Sequence, residues 1–421
     1  CDVHAMNDSE KTSRPVLTFA ILSGLFALSM FYRGSNAVIA PNLVSDLGLT
    51  AESLGMLGGA YFFCFALLQI PTGPILDTIG PRLVITACAF IGALGGFLFA
   101  AGQSFGAVFA GRLLIGVGMA SMFMGPLKVY SLKFPPDRFG TLMGLTVSVG
   151  TLGTALAASP LAYFTRLVGW RIPLALAGVA SVLLGLACLW VLTEPRKNSD
   201  GRATRAVSAS GESTGIRQSL KVILGSLSFW QMGVACFFRY GTFVSMQGLW
   251  LAVYLMDVKE YSPVEAGLVL IILSVGYAIG NPLAGRLSDR SSRSRKTYAL
   301  WGMSGYCLSL APLTGILPME HPFWYGLTAF FIGLTNASGN LIYAHVKELY
   351  PVTMSGTALT WLNFFTVSGG GFFMAAMGKI IDLFPHTGTT YPPSAYHLTF
   401  AACAVATSFS VILYAFTKRE K

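Results

Sequence analysis

Charge is what this 421-residue chain has least of: 11% of its residues are Asp, Glu, Lys or Arg, against 54% hydrophobic ones. A soluble protein of this length needs a charged coat over two or three domains, and 28 basic plus 18 acidic side chains cannot supply it. That excludes soluble enzymes and soluble nucleic-acid-binding proteins. Paired cysteines are also missing. Of the seven cysteines, Cys64, Cys88, Cys188, Cys236, Cys307 and Cys403 lie inside apolar runs, with no CxxC motif among them, so they read as packing residues. No His, Cys and carboxylate cluster has metal-ligand spacing, and neither metal nor cofactor is expected. The polar opening up to Arg14 lacks a signal-peptide pattern, so the first apolar run is expected to stay as a helix.

What the chain has instead is long apolar runs. A stretch of about 20 residues crosses about 30 Å of hydrocarbon as a helix. Twelve such stretches can be counted, at about 16–40, 53–76, 82–102, 105–130, 139–164, 171–193, 228–255, 264–286, 298–317, 322–346, 355–381 and 396–416. The one long polar interruption, rich in Ser, Arg and Gly, falls between the sixth and seventh. The expected organisation is an all-α membrane protein with a cytoplasmic tail 1–15, a six-helix bundle 16–193, a cytoplasmic linker 194–227, a second six-helix bundle 228–416 and a cytoplasmic tail 417–421.

The net charge of +10 need not mean a nucleic-acid partner. With both termini placed in the cytoplasm, twenty Lys and Arg residues fall in cytoplasmic segments and four (Arg166, Arg171, Lys259 and Lys379) on the opposite side. This is the positive-inside asymmetry of a many-span protein. The remaining four, Arg33, Arg112, Lys128 and Arg239, lie within spans.

The two bundles repeat each other. Gly73 and Asp77, with Gly80 and Arg82 just beyond, recur as Gly285 and Asp289, with Arg290 beyond, at a shift of 212 (285 − 73 and 289 − 77). Pro135 and Gly140 recur as Pro351 and Gly356 at a shift of 216. The first span holds Phe31-Tyr32-Arg33-Gly34-Ser35 and the seventh Phe238-Arg239-Tyr240-Gly241-Thr242, which puts one arginine in the first helix of each half.

The segment Gly73…Asp77…Gly80…Arg82 resembles the signature loop of the major facilitator superfamily, and Arg112-Leu-Leu-Ile-Gly116-Val-Gly118 is similar to a second motif of that family. The resemblance spans Phe19 to Phe416. It implies two pseudo-symmetric six-helix bundles that rock around a central cavity formed mainly by helices 1, 4, 7 and 10. More locally, Arg33 with Pro41 eight residues on, Arg239-Tyr240-Gly241, and His345-Val-Lys-Glu348-Leu-Tyr-Pro351 resemble the organophosphate:phosphate antiporters. Gly150 and Gln69 stand where that family has a histidine and a lysine. The run Gly153 to Pro160 only partly resembles the helix-five motif of drug/proton antiporters, which argues against drug efflux.

A cation inside hydrocarbon costs about 2.5–3.5 kcal/mol on insertion scales. Arg33 lies eight residues before Pro41, about 12 Å at helical rise, so it cannot snorkel to a boundary. None of the eighteen acidic residues lies near the middle of a span. Cations without intramembrane anions imply that the anion arrives as substrate. Arg33 and Arg239 are expected to face each other and hold it in planar forks, with Tyr32, Asn36, Tyr240, Lys128, Asn336, Asn340 and His345 as further binding candidates. Each has a plainer reading: Lys128 snorkelling to headgroups, the amides joining helices, His345 packing. His345 and Arg112 are candidates for coupling, Arg112 equally for a network with backbone carbonyls. Gly73, Asp77, Gly80, Arg82, Arg138, Gly285, Asp289 and Arg290 are expected to form a cytoplasmic gate.

The function expected is a secondary transporter, not an enzyme, that moves a small organophosphate, phosphate or organic acid by exchange. The alternatives are proton-coupled symport of a carboxylate, such as a sugar acid or aromatic acid, and a transporter-like membrane receptor. The partners expected are the anionic substrate, phosphate or protons as coupling species, and the lipid bilayer of a bacterial inner membrane, for a monomer with no nucleic acid.

Overall fold

The computed structural model describes residues 15–135, 138–192, 221–289, 294–317, 320–385 and 390–417. The side chains of Asp77 and Asp289, all of Arg290, residues 1–14 of the first expected tail, 194–220 of the expected linker and 418–421 of the last tail lie outside the described residues.

Among the described residues the chain forms twelve helical rods, one for each expected span. They are α1 (Pro15–Gly34 and Asn36–Leu47), α2 (Ala51–Thr78), α3 (Pro81–Ala101), α4 (Phe105–Met119 and Met124–Lys133), α5 (Phe139–Leu156 and Ser159–Val168) and α6 (Arg171–Val191). Next come α7 (Leu227–Ser245, a π turn Met246–Trp250, and Leu251–Lys259), α8 (Pro263–Asp289) and α9 (Arg295–Leu310). The last three are α10 (Pro322–Ala337, a tight turn Ser338–Asn340, and Leu341–Leu349), α11 (Val352–Asp382) and α12 (Pro393–Ala415). Eight helices are long and apolar enough to cross a membrane, and α5, bent by 41°, makes a ninth if its two segments count as one span. The longest unbroken α-helical stretches of α7, α9 and α10 are 19, 16 and 16 residues.

The rods start and stop where local chemistry dictates. Thr50 accepts the Ser53 N–H and Ser104 the Ala107 N–H, capping α2 and α4. Ser262 and Glu265 cap each other's backbone N–H at the start of α8. Gly80 turns the chain from α2 into α3 at φ 96°, in the region that favours glycine. The signature segment is helical as far as Thr78, so Gly73 lies within α2 and, likewise, Gly285 lies within α8.

Breaks fall in α1, α4, α7 and α10, the helices the resemblance places at the centre. In α1 the interruption is the Gly34-Ser35 pair, and in α10 the Ser338-Gly339 pair, residues at which helices bend readily. In α4 Pro126 follows the interruption; its ring excludes the normal bond to the carbonyl four residues back, at Met122. Pro160 does the same to Leu156 in α5.

Small residues let the helices approach closely, as lipid-embedded packing requires. Gly95 and Gly111 bring α3 against α4 so tightly that an added Cβ would meet backbone atoms of the other helix within 3 Å. The same device joins the first six helices to the last six, along seams of α2 with α11 and α5 with α8. A Cβ on Gly55 or Gly59 would strike the backbone carbonyls of Met374 or Gly371, at 2.6 and 2.7 Å. One on Gly267 would strike the Ser159 backbone nitrogen at 2.6 Å. Ser159 also donates to the Val264 carbonyl across the second seam.

All of these inter-half contacts lie toward the end that carries the α1–α2, α5–α6, α7–α8 and α11–α12 loops. At the opposite end, a Cβ on Gly73 of α2, Gly144 of α5 or Gly285 of α8 would meet nothing within 4 Å. The molecule is sealed at one end and splayed at the other. Overpacking a tight seam costs about 1–3 kcal/mol. Gly59→Val is therefore expected to open the sealed end, read as faster labelling of a Leu54→Cys reporter by a membrane-impermeant thiol reagent. Gly106→Val, in open space at the start of α4 and outside the seams, should leave that labelling rate at the wild-type value.

Candidate substrate-binding site

In hydrocarbon an unpaired backbone carbonyl is costly, and each helix break exposes some. Side chains from neighbouring helices take them up. In α1 the Tyr32 carbonyl accepts from Arg112 Nη1 of α4 at 2.7 Å and from Ser35 Oγ at 3.0 Å. In α4 the Ala120 carbonyl accepts from Gln69 Nε2 of α2 at 3.4 Å. In α10 the Asn336 carbonyl accepts from Arg239 Nη1 of α7 at 2.7 Å. Arg239 also reaches Asn336 Oδ1 at 3.0 Å and, through Nη2, Asn340 Oδ1 at 3.2 Å. Gly339 makes this possible, since a Cβ there would collide with the Arg239 side chain.

Arg112 and Arg239 are fully buried, and both are engaged with broken backbone. This corrects the expectation that Arg33 and Arg239 face each other as a symmetric pair. Successive residues on a helix point about 100° apart. Arg239 turns into its own bundle toward α10, and it is Tyr240 that faces Arg33. The Arg33 guanidinium lies 4.9 Å from the Phe62 ring centre and 5.3 Å from that of Tyr240, so rings from α2 and α7 both stack against it. Arg33 is half-buried. Among the described residues no group accepts a hydrogen bond from its guanidinium, and no carboxylate pairs with it.

Around these cations lies a chain of amides and hydroxyls. Asn340 Nδ2 donates to the Tyr277 hydroxyl at 2.8 Å and to Asn281 Oδ1 at 2.7 Å, tying α10 to α8. Tyr277 stacks on Phe243 of α7 at 5.1 Å and lies close enough to Arg33 to interact with it electrostatically. Tyr343 donates to Asn363 and Thr366 of α11, and Asn363 Nδ2 approaches Gln69 Oε1 of α2 at 3.5 Å, a polar link between the two halves. Asn36, just after the α1 break, is 1% exposed, and both its amide atoms lack a partner.

Other candidates are placed elsewhere. Tyr32 is fully buried with its hydroxyl against Gly96 of α3 and near Ser181 of α6. His345 is fully buried and shares a 2.8 Å hydrogen bond with the Tyr414 hydroxyl of α12. Both side chains are thus fully buried, Tyr32 against α3 and His345 against α12. Lys128 is half-buried on the second segment of α4. Arg82 donates to the Leu189 carbonyl of α6, and Arg138 is exposed at the start of α5. Phe62, Tyr277 and Asn281 were not singled out from the sequence. Tyr277 and Asn281 had a signal in their i, i+4 spacing on an otherwise apolar helix, whereas Phe62 had none within the Tyr61-Phe62-Phe63 run. A cavity of about 590 Å³ between α2 and α11 contains none of these polar residues. Its walls include Phe63, Leu67 and Phe372, all more than half exposed, which makes it a groove toward lipid.

Comparison with known proteins places this geometry in a family. A model described as Major Facilitator Superfamily matches residues 21–375 and 241–421. The chain is 24% identical over 346 residues to a probable sulfoacetate transporter of Cupriavidus necator, with 79% of this chain and 80% of that one covered. It is 23% identical over 415 residues to a probable hexose phosphate transport protein of Chlamydia pneumoniae, with 91% and 87% covered. Among solved structures, a bacterial homologue of the human lysosomal transporter Spinster, inward-facing and unoccupied, superposes with a TM-score of 0.75 at 16% identity, covering 96% of this chain and 97% of that one.

The different engagement of the arginines has a measurable consequence. Arg239→Ala leaves two buried carbonyl oxygens of Asn336 and one of Asn340 without their donor, and each buried acceptor so orphaned costs about 1–3 kcal/mol. The thermal unfolding midpoint in detergent should fall clearly for Arg239→Ala. For Arg33→Ala, which frees no acceptor, it should stay close to wild type.

Proposed function

The chain belongs to the major facilitator superfamily, a family of transporters and not of enzymes, and on that premise we propose that it carries a small anionic solute across the membrane by alternating access. The observation behind this reading is Arg33: a cation at mid-span depth, stacked between Phe62 and Tyr240, with no acceptor for its guanidinium and no carboxylate beside it. A substrate carboxylate, sulfonate or phosphate supplies both the missing charge and the missing acceptor. Two relatives named for transport of such anions, sulfoacetate and hexose phosphate, support it.

In this reading Arg33 binds the charged group. Tyr240 stacks against Arg33, Lys128 and the unpaired amide of Asn36 are further binding candidates, and Asn340, Tyr277 and Asn281 offer hydroxyl-binding groups along α8 and α10. Arg239 and Asn336 act as positioning residues that hold the α10 break, and Arg112 does the same for α1. Gly73 and Gly285, with Asp77, Gly80, Arg82, Arg138, Asp289 and Arg290, form the gate that closes the splayed end in the alternate state. The bundles 16–193 and 228–416 are the rocking units. The membrane is a bacterial inner membrane, with both termini in the cytoplasm as the basic residues indicate.

Exchange is the coupling mode we favour, because the spans carry no central carboxylate and His345 is buried against Tyr414 of α12. Proton-coupled symport of a carboxylate is the second reading, favoured by a half-buried acid at the sealed end, Asp257. The test is counterflow in proteoliposomes loaded with phosphate or with an organic acid, following entry of the labelled species. Arg33→Ala should lower entry about tenfold to a hundredfold, the worth of about 1.5–3 kcal/mol for a charged hydrogen bond. Arg33→Lys, which keeps the charge but loses the fork, should retain part of it. Entry unaffected by Arg33→Ala, for any anion transported, would overturn the assignment.

A further inference from the structure

Across the sealed end runs a hydrogen-bonded chain that no substrate-binding role absorbs. The Ala51 N–H, at the start of α2, donates to the Tyr391 hydroxyl at 3.0 Å, and Tyr391 in turn donates to Asp382 Oδ1 at the end of α11. The Tyr391 backbone N–H and the Tyr396 hydroxyl of α12 both donate to Asp257, near the end of α7. Asp257 closes off a small cavity of about 80 Å³. Trp250, Val253, Tyr391 and Tyr396 of the same half line it too, and the facing wall comes from the opposite half, as Ala40, Pro41 and Val44 of α1 and Ala51 and Leu54 of α2. None of those five side chains carries a charge or a hydroxyl.

Asp257 therefore sits at a seam between moving halves, past the apolar run of α7 that ends near residue 255. Among the described residues it has no ion-pair partner. The cation closest along the chain, Lys259, lies over the Tyr325 ring at 5.5 Å. The titratable groups packed around it are Tyr391 and Tyr396, which touch it, Asp382, reached through Tyr391, and Tyr254 and His397 beside Tyr396.

We propose that Asp257 is a proton-binding site of the sealed gate, which takes up a proton as the gate closes and gives it back to the same side as the gate opens. This inference rests on membership of the carrier family and on the two-half seam, and it holds for any substrate. Burial holds the Asp257 carboxyl above its ordinary range, and the two donors only partly offset this. Opening the seam admits water and returns it toward the usual carboxylate value of about 4. The closed gate thus binds the proton more tightly, so protonation favours closure. That contribution is full below the ordinary carboxylate pKa and is lost as pH rises through the raised one. Each unit of difference between the two states is a factor of about ten in the gate equilibrium. Acid on this side closes the gate, and alkali loosens it.

The experiment is hydrogen–deuterium exchange of the full chain in lipid nanodiscs, without substrate, at about pH 5.5 and about pH 8, corrected for the intrinsic rate. In the wild type, segments 36–57 and 246–259 should exchange several-fold faster at the higher pH. Asp257→Asn, neutral at every pH, should stay protected at both. Tyr396→Phe removes a donor to the charged form and should move the transition to higher pH. Equal wild-type protection at both pH values, or an Asp257→Asn profile that follows the wild type, would overturn the proposal. The readout needs no transported anion, so its failure is separable from failure of the counterflow test.

Discussion

A membrane interior tolerates irregular backbone only where something else satisfies it, and the arrangement of this molecule follows from that constraint. Its central helices are interrupted, and an interruption leaves carbonyls without intrahelical donors. Arginine is suited to the repair, because a planar fork can serve a backbone and a side-chain oxygen together. Arg239 does this at Asn336, and Arg112 serves the Tyr32 carbonyl in the other half. In one half the arginine is on the fourth helix and the break on the first; in the other the arginine is on the first helix of its half and the break on the fourth. The symmetry of the fold thus reappears as an exchange of roles, not as a copied residue.

Packing carries the second constraint. Without a hydrophobic drive between helices in lipid, close approach must come from small residues, and the glycines of α2 and α11 provide it at the sealed end only. Contacts of this kind are made or absent, with little between, because backbone meets backbone directly. That suits a seam that must separate and re-form, while the polar link between Gln69 and Asn363, at 3.5 Å, is long enough to give way.

The helices and their number were legible in the sequence because hydrocarbon thickness fixes the length of a span and apolar runs are unambiguous. The breaks were written in residues such as Gly34, Ser35 and Pro126, but their effect depends on which neighbour supplies the donor, and that is a property of packing. The depth of Arg33 and the absence of acids in the middle of the spans were legible. The role of Arg239 was not, because its one-residue offset from Tyr240 decides which way each points, and repeat symmetry at the level of sequence does not register 100° of rotation. Phe62 and Asp257 were hidden for the same reason: one is an aromatic in an aromatic run and the other an acid at a helix end, and only tertiary neighbours distinguish them.

The three arginines within the spans, Arg33, Arg112 and Arg239, therefore sort by what already occupies them. Arg112 and Arg239 have backbone oxygens in hand, so a substrate reaching either would have to displace a bond that holds a broken helix together. Arg33 has only π-faces, which stabilise a cation while leaving its N–H edge open. One of those faces belongs to α7 of the opposite half, so any motion that separates the halves also uncovers Arg33. An anion on that edge and the ring of Tyr240 on its face can be held together only when the halves are close. In the proposed role, substrate occupancy and closure around it are linked through a single side chain, the coupling a carrier needs between binding and movement.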